Sequence, residues 1–293
     1  MTHFIGRTDK KICDLCGAES IFFKLLYDLG DFKIVKCRKC GFVFRNVILD
    51  FKETERLYSE NYFTEEQKDY FFQNRAVKIK DFTERISNIE KIHLTKGRIL
   101  DVGCAIGTFL HICKQRGWEI YGQEISEYAA NYAQRELNSQ IFKGKLSELN
   151  LPANYFDVVT LWDVVDHSEE SVRLLKDTYR ILKNGGLIAV QTDMEDSLIY
   201  RLAHWCYVLS RGLIKSPVKM GHPIHHCVFY TPNTLRMALS SVGFKAVGIK
   251  RVPFPRQLVS VRQAGLLQRI MFDSLNSIGN LVRPLEAVAY GKK

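Results

Sequence analysis

Residues 98–110, RILDVGCAIGTFL, read as a buried strand that runs into a glycine-bearing turn and opens directly into a helix. Gly103 and Gly107 let the backbone turn sharply and come close to a ligand. The helix that follows presents unpaired N–H groups at its first turn. In an open α/β sheet, such a junction lies where a nucleoside binds. This stretch therefore predicts an α/β domain with a ligand at the carboxyl end of its first strand.

The residues around the two glycines argue against a dinucleotide. A dinucleotide fingerprint has glycine at its first, third and sixth positions, but Ala105 and Thr108 occupy the third and sixth positions here. No P-loop lysine followed by serine or threonine comes after the turn. Asp101 would repel a pyrophosphate, whereas it suits a ligand that carries an ammonium group. We therefore expect a cationic or zwitterionic ligand.

A carboxylate ends the second predicted strand. Residues 118–124, WEIYGQE, finish at Glu124, whose oxygens can accept hydrogen bonds from two ribose hydroxyls. Two further motifs follow in order, FDVVTLWDVVDH at 156–167 and LKNGG at 182–186. Together with the glycine turn, these motifs resemble those of the class I S-adenosylmethionine-dependent methyltransferases.

The resemblance implies an α/β fold with a seven-stranded, doubly wound (Rossmann-like) sheet, and S-adenosyl-L-methionine as cofactor. Two positions depart from the family pattern: Ala105 replaces the usual middle glycine, and Lys145 replaces a common acidic residue after the third strand. Carried over position by position, the resemblance implies the following cofactor-binding residues: Asp101, Gly103, Cys104, Gly107, Glu124, Ile125, Leu146 and Trp162.

Length and composition are consistent with one large α/β domain and a small appendage. The chain has 293 residues, 46% of them hydrophobic, and a formal net charge of +10. The polar N-terminal segment predicts no export signal, and no apolar run is long enough to span a bilayer, so we expect a cytoplasmic protein. The positive charge could serve nucleic acid, an anionic membrane surface or a phosphorylated substrate. Since no arginine-rich block or RNA-recognition motif occurs, nucleic acid is not the expected partner.

Four of the eight cysteines form two Cys-x-x-Cys-Gly knuckles, CDLCG at 13–17 and CRKCG at 37–41, on either side of a predicted hairpin. Four thiolates can close a tetrahedral zinc site that leaves no position for water, so the site would be structural. Such ribbons resemble those ahead of some bacterial sugar and polyketide-pathway methyltransferases; a nucleic-acid-binding ribbon is the rival interpretation. The expected Zn²⁺ ligands are Cys13, Cys16, Cys37 and Cys40.

These signals divide the chain into a zinc-ribbon-like domain at 1–48, a linker with an N-terminal helix at 49–95, and a methyltransferase domain at 96–293. Helical periodicity runs from Glu65 to His93. Strands and helices then alternate regularly, as in a parallel doubly wound sheet. In the resembled family, an aromatic segment before the helix covers the methionine side of the cofactor. Tyr58, Tyr62 and Phe63 are therefore expected either to line the cofactor pocket or to pack in the core.

Two insertions, near 197–215 and 256–282, read as basic amphipathic helices. Both follow late strands, so the topology predicts them at the carboxyl edge of the sheet. They are interpreted either as a substrate-side lid or as a helix pair that packs on the domain. Contact with the inner face of a membrane, or with a lipid-linked substrate, is a third interpretation.

Three histidines crowd the segment HPIHHCVFYTP at 222–232. It resembles the His-x-x-x-Phe-Thr/Ser-Pro stretch of the same methyltransferase group. A hydroxyl or carbon acceptor needs a general base, and histidine is suited to that task near neutral pH. His226 or His225 is the predicted catalytic base, against the alternative of hydrogen-bonded loop histidines.

A second set, Asp163-x-x-Asp166-His167, resembles the acidic pair plus histidine of ubiquinone-type O-methyltransferases, where it can hold a divalent cation. The alternative is that these residues only shape the loop.

The sequence as a whole predicts an S-adenosylmethionine-dependent methyltransferase that acts on a small or carrier-linked metabolite, such as a sugar or a lipid-linked glycan. An RNA or protein methyltransferase that binds its substrate through the ribbon is one alternative. A non-catalytic, cofactor-binding scaffold protein is another. The acceptor atom and the oligomeric state are not determined by the sequence.

Overall fold

The computed structural model describes residues 8–48, 56–253, 274 and 277–293. Most of the predicted insertion at 256–282 lies outside these residues, and its last part, 277–282, is helical. The strands of the N-terminal region are β1 (Thr8–Asp9), β2 (Phe23–Asp28), β3 (Lys33–Cys37), β4 (Val43–Arg45) and β5 (Val47–Ile48). The later strands are β6 (Arg98–Val102), β7 (Glu119–Glu124), β8 (Ile141–Lys143), β9 (Phe156–Trp162), β10 (Leu182–Asp193), β11 (Val228–Phe229), β12 (Lys245–Val252) and β13 (Glu286–Lys292).

The main sheet has seven strands in the order β12-β13-β10-β9-β6-β7-β8. The pairs from β10 through β8 are parallel, whereas β13 is antiparallel to both of its neighbours. This arrangement confirms the predicted seven-stranded, doubly wound sheet, whose last strand in the chain, β13, is antiparallel. The strand order reverses next to β6, so a crevice forms outside the carboxyl ends of the central strands.

Helices cover both faces of this sheet because its strands are apolar on both sides. Alternate residues of β6 enter different cores: Leu100 belongs to one cluster and Ile99 to the other. Helices α1, α2 and α3 supply side chains to the Ile99 cluster, and α4 and α7 to the Leu100 cluster. The helices are α1 (Arg75–Ile92), α2 (Thr108–Gln115), α3 (Glu127–Leu137), α4 (Ser171–Ile181), α5 (Leu198–Leu209), α6 (Ser216–Gly221) and α7 (Pro232–Val242).

The segment before β6 is less regular than its periodicity predicts. A single helix was expected from Glu65 to His93, but two π-helical turns, Tyr62–Glu66 and Asp69–Gln73, precede α1. The two turns are joined by aromatic packing, because Phe63 and Phe71 are buried against each other with ring centroids 4.8 Å apart.

The N-terminal region forms a small sheet that does not end where the sequence predicts. The predicted hairpin is present as β2 and β3, and β4 pairs with β3. A fourth strand, β11, joins the free side of β4, although it lies far away in the chain. The ribbon and the larger domain therefore share one sheet, and the shared strand β11 lies within the predicted histidine segment, two residues after His226.

The predicted helix at 197–215 is shorter than expected and packs differently. Helix α5 ends at Leu209, and its N-cap Ser197 accepts a hydrogen bond from the backbone N–H of Tyr200. It lies on the ribbon, where His204 Nδ1 is 2.9 Å from the hydroxyl of Tyr27. Of the three interpretations, these contacts agree with a helix that packs on the domain. One apolar face of α5 is nevertheless largely exposed.

Candidate active site

A cavity of about 590 Å³ lies at the carboxyl ends of the central strands. Four strands end in polar side chains that line it: Asp101 on β6, Glu124 on β7, Asp163 after β9 and Gln191 on β10. Because carboxyl ends of parallel strands meet at one edge of a sheet, residues far apart in the chain converge here. The volume is in the range typical of small-molecule sites.

The glycine turn forms one wall of this cavity. Gly103 has φ +68°, and a Cβ there would lie 2.5 Å from Val164, so only glycine fits without movement. Gly107 also has a positive φ, and its added Cβ would lie 2.7 Å from Leu137. Gly103 lines the cavity, whereas Gly107 does not. Gly107 was predicted to bind the cofactor, but in the structure it permits close packing of α2 against α3.

Asp101 is buried at the base of the cavity. The hydroxyl of Thr160 donates a hydrogen bond of 2.6 Å to its Oδ1. Burial raises the pKa of Asp101 to about 8, although the Thr160 hydrogen bond acts in the opposite direction. An uncompensated carboxylate at this depth is costly, so the site favours a ligand that brings its own positive charge. An ammonium group meets that requirement.

Glu124 is held rigidly by backbone groups. Its Oε2 accepts a hydrogen bond from the N–H of Ala105 and its Oε1 from the N–H of Ser126, both of 2.9 Å. Burial raises the pKa of Glu124, while these N–H groups lower it. Each carboxylate oxygen keeps a second lone pair. Glu124 can thus still accept hydrogen bonds from a pair of vicinal hydroxyls, as the sequence predicts.

The remaining predicted cofactor residues also line the cavity: Cys104, Ile125, Leu146 and Trp162. Trp162 lies edge-on to Phe109, with ring centroids 5.2 Å apart, and the guanidinium of Arg85 sits 5.2 Å from its ring. The predicted aromatic segment takes part as well, because three of its residues form part of the wall: Tyr58, Tyr62 and Phe63.

A second wall of the same cavity carries histidines. His225 and His226 both line it, and His167 joins them from the loop after β9. The His167 ring centroid lies 4.5 Å from that of His226 and 5.3 Å from that of His225. Burial lowers the pKa of His225 to about 4 and lowers the pKa of His226 well below its ordinary value. Both imidazoles are therefore neutral near pH 7, because burial disfavours the protonated form.

The Nδ1 atom of His226 has a carboxyl neighbour but no hydrogen-bond partner within the described residues. It is buried and lies 3.8 Å from Asp166 Oδ2. Burial raises the pKa of Asp166 well above its usual range. By contrast, His222 lies outside the cavity and is fully engaged, with Nε2 3.0 Å from Glu195 and Nδ1 2.9 Å from the carbonyl of Val218. His222 is therefore a structural residue.

Metal-ligand geometry occurs in two places within the described part of the chain. The ligand atoms of His167, His225 and His226 all lie within 4.8 Å of one another, as do those of the four knuckle cysteines. The predicted Asp163, Asp166 and His167 set does not form such a cluster. His167 instead associates with the other two histidines, and Asp163 Oδ2 accepts a 3.3 Å hydrogen bond from Tyr70.

The sequence analysis missed several polar side chains of this cavity. Lys78 and Arg85 project from α1, one above the other at i and i+7, and Glu286 reaches in from β13. Burial lowers the pKa of Lys78 to about 7, and its Nζ lies 3.3 Å from the centroid of the Tyr70 ring. The seven-residue spacing of Lys78 and Arg85 puts both side chains on the same face of α1. This spacing is the sequence signal that could have identified them as cavity residues.

Several buried polar atoms in the cavity wall lack hydrogen-bond partners within the described chain. Besides His226 Nδ1, they include Arg85 Nη1, Trp162 Nε1, Asp166 Oδ1, Gln191 Oε1 and Glu286 Oε2. Buried polar groups are almost always hydrogen-bonded, so several buried polar atoms without partners at one site need an explanation. A ligand rich in hydrogen-bonding groups would satisfy them.

The ribbon holds the histidine loop through Arg45. This side chain is buried, donates hydrogen bonds to the carbonyls of Ile224 and Val47, and pairs with Glu169. Its backbone N–H donates a 2.9 Å hydrogen bond to the carbonyl of Cys227. Arg45 therefore forms hydrogen bonds to the chain on both sides of the two candidate catalytic residues, His225 and His226.

The knuckle cysteines match a tetrahedral thiolate site. The Sγ atoms of Cys13 and Cys40, and those of Cys16 and Cys37, are each 3.6 Å apart. Thiolates about 2.3 Å from a zinc ion would be about 3.8 Å apart. Burial raises the pKa of Cys13 to about 12, whereas the N–H groups of Cys40 and Lys39 outweigh burial and lower the pKa of Cys37. These cysteines could hold Zn²⁺, whose charge would stabilise all four thiolates.

Comparisons with known proteins agree with this geometry. A family described as "Methyltransferase domain" matches residues 71–248. The ubiquinone biosynthesis O-methyltransferase of Pseudomonas entomophila is 30% identical over 122 residues, which are 39% of this chain and 52% of that protein. The chain thus spans about half the length of this curated relative.

Two solved structures share the fold. A SAM-dependent methyltransferase from Archaeoglobus fulgidus has a TM-score of 0.56 at 23% identity, over 80% of this chain and all of that one. The magnesium protoporphyrin IX methyltransferase of Synechocystis PCC 6803, solved with bound SAH, has a TM-score of 0.55 at 14% identity, over 83% of this chain and 100% of that one.

Proposed function

We propose that this chain, which belongs to the class I S-adenosylmethionine-dependent methyltransferases, methylates a small or carrier-linked metabolite in the cavity described above. One observation carries the proposal: Asp101 and Glu124 line the same cavity as His225 and His226. The residues proposed to bind the cofactor and the residues proposed to act as the base thus face the same cavity. In such a cavity a donor and an acceptor can be aligned without intervening water.

The residues proposed to bind the cofactor use opposite charge and paired hydrogen bonds. Asp101 would pair with the ammonium of S-adenosyl-L-methionine, and Glu124 would accept hydrogen bonds from its ribose hydroxyls. When bound, the cofactor supplies an electrophilic methyl group on a sulfonium. Tyr58, Tyr62 and Phe63 would shield that group from water.

The proposed base removes a proton from the acceptor. The Nδ1 of His226 has no partner among the described residues, so it would take the proton of an acceptor hydroxyl while the methyl group passes from the sulfonium to that oxygen and the neutral thioether leaves. His225 is the second candidate for this role.

We propose a sugar or a lipid-linked glycan as the acceptor. The partnerless atoms of Arg85, Asp166, Gln191 and Glu286 belong to residues that line the cavity, and both donors and acceptors occur among them. Hydroxyl groups can donate and accept, so a polyhydroxylated ligand would satisfy this mixed set. An apolar acceptor would leave the same atoms unpaired at a cost of about 1–3 kcal/mol each.

We further propose that the knuckle cysteines bind one structural Zn²⁺ per chain. The support is the 3.6 Å distance between the Sγ atoms of Cys13 and Cys40, and the equal distance between those of Cys16 and Cys37. The role follows from the shared sheet, because a folded ribbon presents β4 to β11 and so holds the histidine loop.

The test is a search for the acceptor with labelled cofactor. Purified protein is incubated with methyl-labelled S-adenosyl-L-methionine and separated extract fractions of metabolites, lipids, RNA and protein. Asp101→Ala serves as the control that lacks the cofactor anchor. We expect the label in a hydroxylated metabolite or lipid-linked glycan, and none with Asp101→Ala. Label in RNA or protein would overturn the acceptor class, and cofactor binding without labelling of any fraction would identify a scaffold protein.

A further inference from the structure

The net positive charge of this protein arises from one segment of the chain. Residues 197–272 contain eleven Lys and Arg residues and no Asp or Glu. The rest of the chain therefore has 31 basic and 32 acidic residues and is close to neutral. Four of these residues, Arg201, Arg211, Lys215 and Lys219, lie on α5 and α6 or between them, where their charges add to a positive local potential.

The described part of this segment also exposes large apolar side chains. On α5, Leu202, Trp205 and Leu209 point away from the domain, with 37%, 57% and 77% of their surface exposed. The spacing of i, i+3 and i+7 places them on one helical face. Tyr200 and Ala203 form the opposite, buried face of the helix.

The exposed face continues beyond α5. Leu213, Ile214 and Met220 are 87%, 53% and 47% exposed. The helical residues 277–282 adjoin the start of α5, where the N–H of Leu198 donates a 3.4 Å hydrogen bond to the carbonyl of Arg283. They add three more exposed apolar side chains: Ile278, Leu281 and Val282.

Basic side chains surround these apolar groups. Arg201 and Arg211 are exposed, as is Lys219, and Lys215 is partly exposed. Lys215 and Lys219 border a shallow groove together with Leu213, Ile214 and Met220. Monomeric soluble proteins rarely expose an apolar patch of this extent, and such patches mark sites of interaction. Apolar groups bordered by cations complement a surface that is apolar inside and anionic outside.

We propose that this α5–α6 surface, formed by the exposed side chains of residues 201–220, docks the protein on the surface of a bilayer that contains anionic lipids. The apolar side chains would enter the headgroup region while Arg211, Lys215 and Lys219 contact the lipid phosphates. Within the described residues, no helix is long and apolar enough to cross a bilayer. The contact is therefore peripheral, with α5 lying in the plane of the interface.

The fluorescence of Trp205 can report this contact. Of the protein's three tryptophans, Trp205 is 57% exposed, whereas Trp118 and Trp162 are 4% and 8% exposed. Titration with phosphatidylcholine vesicles that contain phosphatidylglycerol is expected to shift the tryptophan emission to shorter wavelength. Vesicles of phosphatidylcholine alone should produce a much smaller shift, and Trp205→Phe should abolish it. Sedimentation of the same vesicles gives the partition constant.

Matched variants separate this surface from general hydrophobicity. The double variant Leu209→Glu/Leu213→Glu should lower the partition constant at least tenfold. Leu94→Glu is the control, because Leu94 is 85% exposed but lies between α1 and β6, outside the α5–α6 surface. Partition should also weaken in high salt, since exposed charge interactions are screened.

Three results would overturn the proposal: no partition into anionic vesicles, equal loss for the double variant and Leu94→Glu, or binding of an RNA probe that the double variant abolishes while vesicles remain unbound. The assay needs no methyl acceptor and no cofactor. Its failure is therefore distinguishable from failure of the proposed methyl transfer.

Discussion

Replacing Arg45 by Lys tests whether the ribbon positions the histidines. The substitution keeps the charge but removes the planar fork that reaches Val47, Ile224 and Glu169 together. A lysine cannot satisfy all three partners, so at least one backbone carbonyl and part of the ion pair lose their donor. At about 1–3 kcal/mol for each buried group left unpaired, the free energy of unfolding should fall by about 2–4 kcal/mol. The melting temperature should fall by roughly 5–15 °C.

The effect on catalysis should be selective. Ile224 and Cys227 flank the two histidines, so loosening Arg45 displaces their rings relative to the acceptor. A displacement of about 1 Å can reduce the rate by about 10²-fold. We expect kcat to fall by about 10–100-fold. The Kd for S-adenosyl-L-methionine should change by less than about twofold, because Asp101 and Glu124 lie on β6 and β7.

The assay combines calorimetry of cofactor binding with steady-state kinetics on the identified acceptor. Arg98→Lys is the matched control: Arg98 pairs with Glu119 at 3.3 Å, but that pair is solvent-exposed. It should leave both melting temperature and kcat unchanged. If Arg45→Lys lowers the melting temperature while kcat stays at the wild-type value, the ribbon does not position the reacting residues and the coupling argument is refuted.

Three further predictions concern single features of the site. His226→Ala or His225→Ala should lower kcat by about 10²–10⁴-fold with little change in cofactor Kd; wild-type rates in both variants would exclude the histidine base. Metal analysis should find one zinc per chain, and Cys37→Ser should lose it and melt at lower temperature; a metal-free wild type of equal stability would contradict this. Because burial raises the pKa of Asp101 to about 8, pairing with an ammonium at pH 7 should release up to one proton, and Kd should fall as the pH rises towards 8 and then level off. Calorimetry in buffers of different ionisation enthalpy measures the release, and its absence would show that Asp101 does not meet the ammonium.

The sequence predicted the main domain well because its signals are local and repeated. Apolar strands alternate with helices from residue 98 onwards, and each of the seven strands is present. The positions of Asp101 and Glu124 followed from strand ends, which a parallel sheet must bring to one edge. The two cysteine knuckles were also predicted to come together, and their four Sγ atoms lie within 4.8 Å of one another.

The features that were not predicted depend on tertiary contacts without a local pattern. A two-residue strand such as β11 has no periodicity that could link it to the ribbon. His167 was assigned to an acidic set because Asp163 and Asp166 precede it, but the fold turns its ring towards His225 and His226. The roles of Lys78 and Arg85 depend on which side of α1 faces the cavity, and periodicity alone predicts that side as apolar.

The most direct test of the central claim is calorimetric titration of the purified protein with S-adenosyl-L-methionine, beside Asp101→Ala and Glu124→Ala. Wild-type protein should bind one molecule per chain. Each variant should raise Kd at least tenfold, because hydrogen bonds to a charged carboxylate contribute about 1.5–3 kcal/mol. Wild-type affinity in both variants would contradict the assignment of this cavity as the cofactor site.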